Sequence, residues 1–217
     1  MTGSRRTEEE WGRAVEGLRS VAHRAEKLGV ILCIEPLNRF ETYFLNTLQD
    51  ASRLINEIGA PNVRIHFDTF HANIEERQLA ASLRSVAKDL GHVHISENDR
   101  GIPGTGHVDW RGVVSALRDV GYDGWLTIES FAQPERELAS AASIWRDLAP
   151  SGDELALRGL QFVNAVAQEV GIHQFSTDEI PLLFLIRFDS VSRSNGLSRD
   201  LLWKARVFAE CTSGGQQ

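Results

Sequence analysis

The stretch VRIHFD, residues 63–68, decides the fold, because it is a short and largely apolar run that ends on a carboxylate. Three further runs place an acidic or imidazole side chain at or near their ends: ILCIE at 31–35, HVHIS at 92–96 and LTIE at 126–129. The runs recur about every thirty residues, the length of a strand, its returning helix and two loops. The sequence therefore predicts four consecutive parallel strands whose same ends carry polar side chains.

The segments between these runs carry apolar residues at helical spacing. We predict helices at 7–29, 47–58, 75–90, 109–120 and 139–171, the last with an interruption at 150–152. We predict strands at 31–35, 63–68, 92–96 and 125–129, and expect the first to be buried on both faces. Alternation without hairpin signals indicates a parallel sheet, either doubly wound or closed as a barrel. Polar strand ends favour the barrel, where they converge on one axis.

Length and composition are typical of one globular domain, with 217 residues, 42% of them hydrophobic and 24% charged. The net charge of -7 and pI of about 5.5 argue against binding of nucleic acid. They are compatible with a small polar substrate. Two cysteines, Cys33 and Cys211, suggest no disulfide framework, so we expect a cytoplasmic protein. No segment reads as a signal peptide or a membrane span.

The four strand-end side chains form a candidate metal site: Glu35, Asp68, His94 and Glu129. Three oxygen donors and one imidazole suit manganese, cobalt or magnesium, whereas structural zinc sites favour thiolates. A bound cation would polarise a carbonyl and the adjacent hydroxyl, so that the C–H between them becomes acidic. Glu35 and Glu129 end the first and fourth strands, and one could remove a proton that the other returns. The alternative for each carboxylate is a helix cap or an ion pair.

Several neighbouring residues have alternative candidate roles. His66 and His92 share a face with the candidate ligands one layer deeper, either as partners of the ligands or, as we favour, as core histidines. His71 and Arg100 follow strand ends, where substrate hydroxyls would be met, although Arg100 could form a surface salt bridge. The run GIPGTGHVDW at 101–110 lacks the GxGxxG order, and we expect it to fold over the site, with Asp109 capping the next helix.

Five motifs resemble those of the sugar isomerase/epimerase superfamily with a xylose isomerase-like TIM barrel, and within it the ketose 3-epimerases that act on tagatose, psicose or ribulose. They are IEPLNRFET at 34–42, FDTFH at 67–71, HISENDRG at 94–101, GTGHVDW at 104–110 and IESF at 128–131. The resemblance implies a sugar ligand and a Mn²⁺ or Co²⁺ ion, with Mg²⁺ or Zn²⁺ as alternatives. It implies the same four metal ligands, an acid/base pair of Glu35 and Glu129, and contacts of Glu41, His71 and Arg100 with the ketose.

The resemblance covers about residues 5–171 and only the second half of the barrel. The predicted fold is therefore a partial (β/α)8 TIM barrel, strands five to eight with their helices, in a domain at 1–171. An irregular, atypical tail follows at 172–217. We favour truncation of a longer barrel; a half-barrel that pairs with another copy as a homo-oligomer and a chain that keeps its ligands without activity are the alternatives. Exposed sheet edges would need a partner or coverage by the tail.

These observations predict a divalent-metal-dependent sugar isomerase or epimerase that acts through an enediolate. Inosose dehydratase or hydroxypyruvate isomerase-like activity is an alternative on the same scaffold. An endonuclease IV-like phosphodiesterase, with three zinc ions, is disfavoured by the acidic balance of the chain. An inactive metal-binding fragment is the remaining alternative.

Overall fold

The described part of the chain, residues 4–172 of a computed structural model, is built on a four-stranded sheet in the order β1-β2-β3-β4. All three strand pairs are parallel, which confirms the prediction. The strands are β1 (Leu32–Ile34), β2 (Val63–Asp68), β3 (Leu90–Ile95) and β4 (Leu126–Ile128). β1 is half-buried, so the expectation of burial on both faces was wrong. The physical reason is its place at the edge of the sheet, because β2 is its one strand neighbour within residues 4–172.

Seven α-helices and one 3-10 turn connect and cover the strands within the described range. They are α1 (Glu8–Glu26), α2 (Leu48–Ile58), α3 (Thr69–Glu75), α4 (Leu79–Ser85), the 3-10 turn Ala87–Asp89, α5 (Trp110–Asp119), α6 (Arg136–Ala142) and α7 (Gly152–Glu169). No helix in the same range is long and apolar enough to cross a membrane.

The ends of the first two helices follow from local sequence. Thr7 and Glu10 form a reciprocal capping box at the start of α1, and the Thr47 side chain accepts a hydrogen bond from a backbone N–H in the first turn of α2. Gly59 ends α2 in the left-handed conformation at φ 71°, which glycine adopts without steric cost. Both helices therefore lie where the sequence predicts them.

The single helix predicted at 75–90 was wrong, because the chain forms α3, α4 and a 3-10 turn between β2 and β3. α3 begins directly at the end of β2 and ends at Glu75, after which Glu76 is extended. Both glutamates bond to distant backbone: Glu75 accepts from the N–H of Arg39 and Glu76 from the N–H of Leu48. These tertiary contacts stabilise the break between α3 and α4, although the apolar spacing of residues 75–90 is typical of one continuous helix.

The helix predicted at 139–171 is likewise two helices, α6 and α7. The predicted interruption at 150–152 is confirmed by Ser151, whose side chain accepts from the N–H of Glu154 and caps α7. The break begins earlier than predicted, since Ser143 ends α6 at a left-handed φ of 55°. The tail predicted at 172–217 lies, from residue 173 onward, outside the described residues, and the division into two domains stays a prediction.

The alternation of side chains along β2 and β3 gives the sheet two different faces. Ile65, Phe67, Val93 and Ile95 are fully buried in the hydrophobic core that the sheet forms with its covering helices. The intervening positions carry His66, Asp68, His92 and His94 on the opposite face. One face therefore makes the core, and the other makes a polar centre.

Large apolar side chains remain exposed beside both outer strands. Leu28 and Ile31 precede β1, and Trp125 precedes β4; their exposed fractions are 71%, 40% and 44%. Among the described residues, neither strand has a partner on its outer side. A closed barrel leaves no such edges, so the described sheet is open along both β1 and β4.

Candidate metal centre

The four predicted ligands converge at the carboxyl ends of the strands. Glu35 follows β1, Asp68 ends β2, His94 lies in β3 and Glu129 follows β4. Each offers one ligand atom, and these atoms lie within 4.8 Å of one another. Strand register sets this arrangement, because Asp68 pairs with His94 and the Glu129 N–H donates to the carbonyl of Ile95 at 3.0 Å. The structure brings the set together; its role as a ligand set stays a prediction.

Opposite charges meet closely inside this centre. Nδ1 of His94 lies 3.2 Å from Oε2 of Glu129 and 3.6 Å from Oδ2 of Asp68. Burial lowers the pKa of His94, but contacts with Asp68 and Glu129 outweigh it and raise the pKa to about 9. Burial raises the pKa of Asp68, yet the nearby imidazole of His94 and the charge of Arg100 hold it well below its usual range. Cationic side chains thus compensate the carboxylates of Asp68 and Glu129.

Arg100 is buried within the centre. The alternative that it forms a surface salt bridge was therefore wrong. Its Nη1 donates to Asp68 at 3.0 Å and to Glu129 at 2.8 Å. The guanidinium also lies over the ring of Phe70, at 4.1 Å from the centroid. Arg100 has a left-handed φ of 66°, an uncommon conformation for a residue with a Cβ. The fold therefore directs this buried cation toward the carboxylates.

His71 and Glu41, the other predicted substrate contacts, lie on the side of β1. His71 is buried, with Nε2 2.9 Å from Nη2 of Arg100 and 3.8 Å from Oε1 of Glu35. Burial lowers the pKa of His71 more than the nearby Asp68 carboxylate raises it. Glu41 is more exposed and lies 3.9 Å from Nδ1 of His71. His71 and Arg100 thus line the centre, whereas Glu41 borders it.

Sequence reasoning missed Asn38, which joins these residues. Its backbone N–H donates to Nδ1 of His71 at 3.1 Å, and its side-chain amide donates to Glu41 at 2.9 Å. Asn38 is buried, although it belongs to the loop after β1. Its place in the motif EPLNR, directly after a strand end, was the available signal.

The sequence profile described as xylose isomerase-like TIM barrel matches residues 1–148. The chain belongs to this family. The match confirms the fold that the sequence motifs predicted, with four of its parallel strands in the described range.

Relatives and solved structures of this family resemble the chain over about half of their own length. A D-psicose 3-epimerase of Ruminiclostridium cellulolyticum is 39% identical over 148 residues, which are 68% of this chain and 50% of the relative. A solved L-ribulose 3-epimerase matches at a TM-score of 0.74 and 35% identity, covering 77% of this chain and 57% of that one. D-psicose 3-epimerase from Clostridium cellulolyticum H10, solved with D-tagatose, matches at a TM-score of 0.71 and 36% identity, covering 76% and 59%.

A second missed residue, Glu97, anchors the loop between β3 and α5 of this barrel. It is fully buried, and both carboxylate oxygens accept hydrogen bonds. Oε1 accepts from the N–H groups of Asn98 and Val108, and Oε2 accepts from the N–H of Gly104 and the indole of Trp110. Burial raises the pKa of Glu97, but these hydrogen bonds hold it below its usual range. The anchored loop is the one that carries Arg100.

The loop at 101–110 leads into α5 and packs against α7. Asp109 caps α5 by accepting from the Gly112 N–H at 3.0 Å, as predicted, and Trp110 is buried. Gly104 has φ +90°, and a Cβ there would lie 2.4 Å from the ring of Phe162 in α7. The glycine thus permits a close approach between the loop and α7.

His66 and His92 lie beside the candidate metal ligands, whereas the sequence pattern favours core positions for them. Nδ1 of His66 is 3.7 Å from Oε2 of Glu35, and its ring centroid is 3.9 Å from that of His94. The ring of His92 lies 5.1 Å from that of His94. Burial lowers the pKa of His92 to about 4. Both side chains are buried, but they contact candidate ligands on the polar face of the sheet.

Proposed function

We propose that this chain carries the metal-dependent acid/base centre of a ketose 3-epimerase. The convergence of three carboxylates and one imidazole within 4.8 Å carries the proposal. Its similarity to relatives named D-psicose 3-epimerase and L-ribulose 3-epimerase, at 35–39% identity, supports it. The chain spans about half the length of these relatives, and the proposal is that the residues it contains exchange the proton at C3.

The donor set fits a divalent ion of intermediate hardness, and we assign Glu35, Asp68, His94 and Glu129 as its ligands. Three carboxylates and a single imidazole favour Mn²⁺ or Co²⁺ over ions that prefer thiolates. When bound, such an ion supplies Lewis-acid polarisation of the ketose carbonyl and the adjacent hydroxyl. The charges of Arg100 and His94 already compensate the same carboxylates, so their spacing suits a cation.

Glu35 and Glu129 are the proposed acid/base pair. They follow the two outermost strands of the described sheet, β1 and β4, and therefore approach the centre from opposite sides. Removal of the C3 proton by one carboxylate leaves a planar enediolate, and return of a proton by the other on the opposite face inverts C3. Epimerisation needs such a two-sided arrangement, because one base alone would return the proton to the face that it left.

Arg100, His71 and Glu41 are the proposed sugar contacts. Arg100 presents several fixed N–H donors within a buried centre, which suits the recognition of ketose hydroxyls. The lowered pKa of His71 favours its neutral form, which can both donate and accept a hydrogen bond. Glu41, on the more exposed border, would accept from a hydroxyl farther from the reacting carbon. Polar side chains that follow several strand ends would thus bind the ketose through its hydroxyl groups.

Proton exchange at C3 gives the sharpest test. Chelator-treated protein is reloaded with Mn²⁺ and incubated with D-psicose, D-tagatose or L-ribulose in D₂O, and deuterium at C3 is followed by NMR alongside the epimer ratio. We expect exchange with wild-type protein and a loss of at least about 1,000-fold with Glu129→Gln. Glu16→Gln, an exposed position on α1, is the matched control and should retain wild-type exchange. Folded, metal-loaded wild-type protein that exchanges no deuterium would contradict the proposal.

We also place this activity in the cytoplasm. The chain has only two cysteines, Cys33 and Cys211, and their number suggests no disulfide framework. A reducing compartment suits this composition.

A further inference from the structure

We propose that His66, His92 and His94 form a second metal site, which takes one ion of the zinc class beneath the carboxylate-rich centre. Each imidazole offers one ligand nitrogen, and the three nitrogens lie within 4.8 Å of one another. The proposal does not depend on the epimerase activity, because it concerns a separate donor set that shares only His94 with the first centre. We call it the imidazole site.

The imidazole site is built on the two central strands of the sheet. His66 in β2 pairs in register with His92 in β3, and His94 follows two residues later on the same face. Backbone pairing fixes all three Cα positions, so the histidines do not depend on loop conformation for their proximity. Sites on paired strands hold their ligands with smaller positional freedom than sites on loops.

The spacing of the rings suits a common ion. The ring centroids are 3.9 Å apart for His66 and His94, 4.9 Å for His66 and His92, and 5.1 Å for His92 and His94. Zinc–nitrogen bonds of about 2.0–2.1 Å place the centroids of two coordinating imidazoles roughly 5 Å apart. The separations of 4.9 Å and 5.1 Å already match this value. A small side-chain rotation would lengthen the 3.9 Å separation of His66 and His94.

The rings also meet edge to face. Their planes cross at 68°, 76° and 86°, so they do not stack. Stacked rings would keep their nitrogens apart on parallel planes, whereas crossed rings can turn ring edges, where the nitrogens lie, toward one point. This orientation is compatible with three nitrogens around one ion.

His94 can serve both sites because its two nitrogens lie on different edges of the ring. Nδ1 faces the carboxylates of Asp68 and Glu129, at 3.6 Å and 3.2 Å. Nε2 is then the atom that the imidazole site uses. Bound at both nitrogens, the shared ring would bridge the oxygen-rich and the nitrogen-rich site as an imidazolate, and the N–H proton that it loses would pass to solvent.

The two donor sets select different ions. Three imidazoles favour Zn²⁺, Cu²⁺, Ni²⁺ or Co²⁺, whereas the carboxylate-rich set accepts harder ions such as Mn²⁺. His66 and His92 are each only 7% exposed, so the protein shields the imidazole site from water. We therefore expect zinc to occupy both sites and manganese only the first.

The test counts ions on the full chain after chelator treatment, by calorimetric titration with Zn²⁺ and, separately, with Mn²⁺. We expect two zinc ions and one manganese ion per wild-type chain. His66→Gln should lose one zinc ion, and the double variant Glu35→Gln/Glu129→Gln should keep one. His23→Gln, an exposed histidine on α1, should keep both. X-ray absorption of the zinc-loaded double variant should report imidazole nitrogens and no sulfur.

One zinc ion per wild-type chain, an unchanged zinc count in His66→Gln, or sulfur in the zinc coordination sphere would each overturn the proposal. Circular dichroism establishes that each variant is folded, and His92→Gln replaces His66→Gln if the latter does not fold. Failure of the epimerase proposal is a separate result, since it is read from Mn²⁺-dependent deuterium exchange and leaves the zinc count unaffected.

Discussion

Asp68 and Glu97 are two buried carboxylates with lowered pKa values and different surroundings. Oδ1 of Asp68 accepts from the backbone N–H groups that begin α3, while Oδ2 faces the cationic side chains of His94 and Arg100. Both oxygens of Glu97 accept from fixed backbone N–H groups and an indole. A buried carboxylate with one oxygen directed at cations is suited to exchange them for a metal, whereas one enclosed by neutral donors is suited to hold a loop.

The largest expected effect is on metal affinity, and it separates the two carboxylates. Asp68→Asn removes one ligand charge and leaves His94 and Arg100 to repel an incoming cation. We expect Mn²⁺ to bind at least about 100-fold more weakly, as measured by calorimetry. Asparagine can still cap α3, so the variant should remain folded.

The matched controls for this experiment are Asp123→Asn, at an exposed loop position, and Glu97→Gln. Both should bind Mn²⁺ within about threefold of wild type, because neither removes a ligand. Wild-type affinity of the Asp68→Asn protein for Mn²⁺ would show that Asp68 is not a ligand. Asp68 and Glu97 would then not differ in their contribution to metal binding.

The second effect is on stability, and it should be larger at Glu97. Glu97→Gln replaces an acceptor oxygen with an NH₂ group that faces other donors in a buried site. We expect the free energy of unfolding to fall by about 2–3 kcal/mol, measured with urea on the metal-free protein. Glu16→Gln should change it by less than about 0.5 kcal/mol. Equal stability of the Glu97→Gln and Glu16→Gln proteins would contradict the loop-anchoring role.

The convergence of the four candidate ligands could be predicted from sequence because their positions follow from strand periodicity. The recurrence of a strand about every thirty residues and the parallel order place Glu35, Asp68, His94 and Glu129 at one edge of the sheet, whatever the loops do. The same reasoning placed α1 and α2 correctly, since capping residues and glycines act locally. The parallel strand order and the convergence of the four candidate ligands could thus be predicted from sequence patterns.

Other features depend on contacts between distant segments. The break after α3 rests on Glu75 and Glu76, which bond to backbone more than 25 residues away. The role of Asn38 requires the loop after β1 to reach His71, which lies on α3. The left-handed conformation of Arg100 has no local signature, because most residues found there are glycines. These interactions exist only after the fold has formed.

The third prediction concerns pH. The lowered pKa of Glu97 means that its carboxylate form stabilises the fold above the unfolded value of about 4.5, and this contribution is lost as pH falls through the lower folded pKa. Below pH 4.5, wild-type stability should therefore fall more steeply than that of Glu97→Gln, by up to about 1.4 kcal/mol per pH unit. Urea titrations between pH 3.5 and 6 measure both slopes, and parallel curves would show that Glu97 does not supply this dependence.

The smallest expected effect lies at the far end of the same loop, where Asp109 caps α5. Asp109→Ala removes one acceptor for the Gly112 N–H and should cost about 1 kcal/mol of stability, whereas Asp109→Asn should retain most of the cap. Neither change touches the four-ligand set, so Mn²⁺ affinity should stay within about threefold of wild type. A large loss of affinity in Asp109→Ala alone would mean that the loop also holds the ligands in place. Loop anchoring and metal binding would then be one function of the fold, since disturbing the loop would disturb the centre through Arg100.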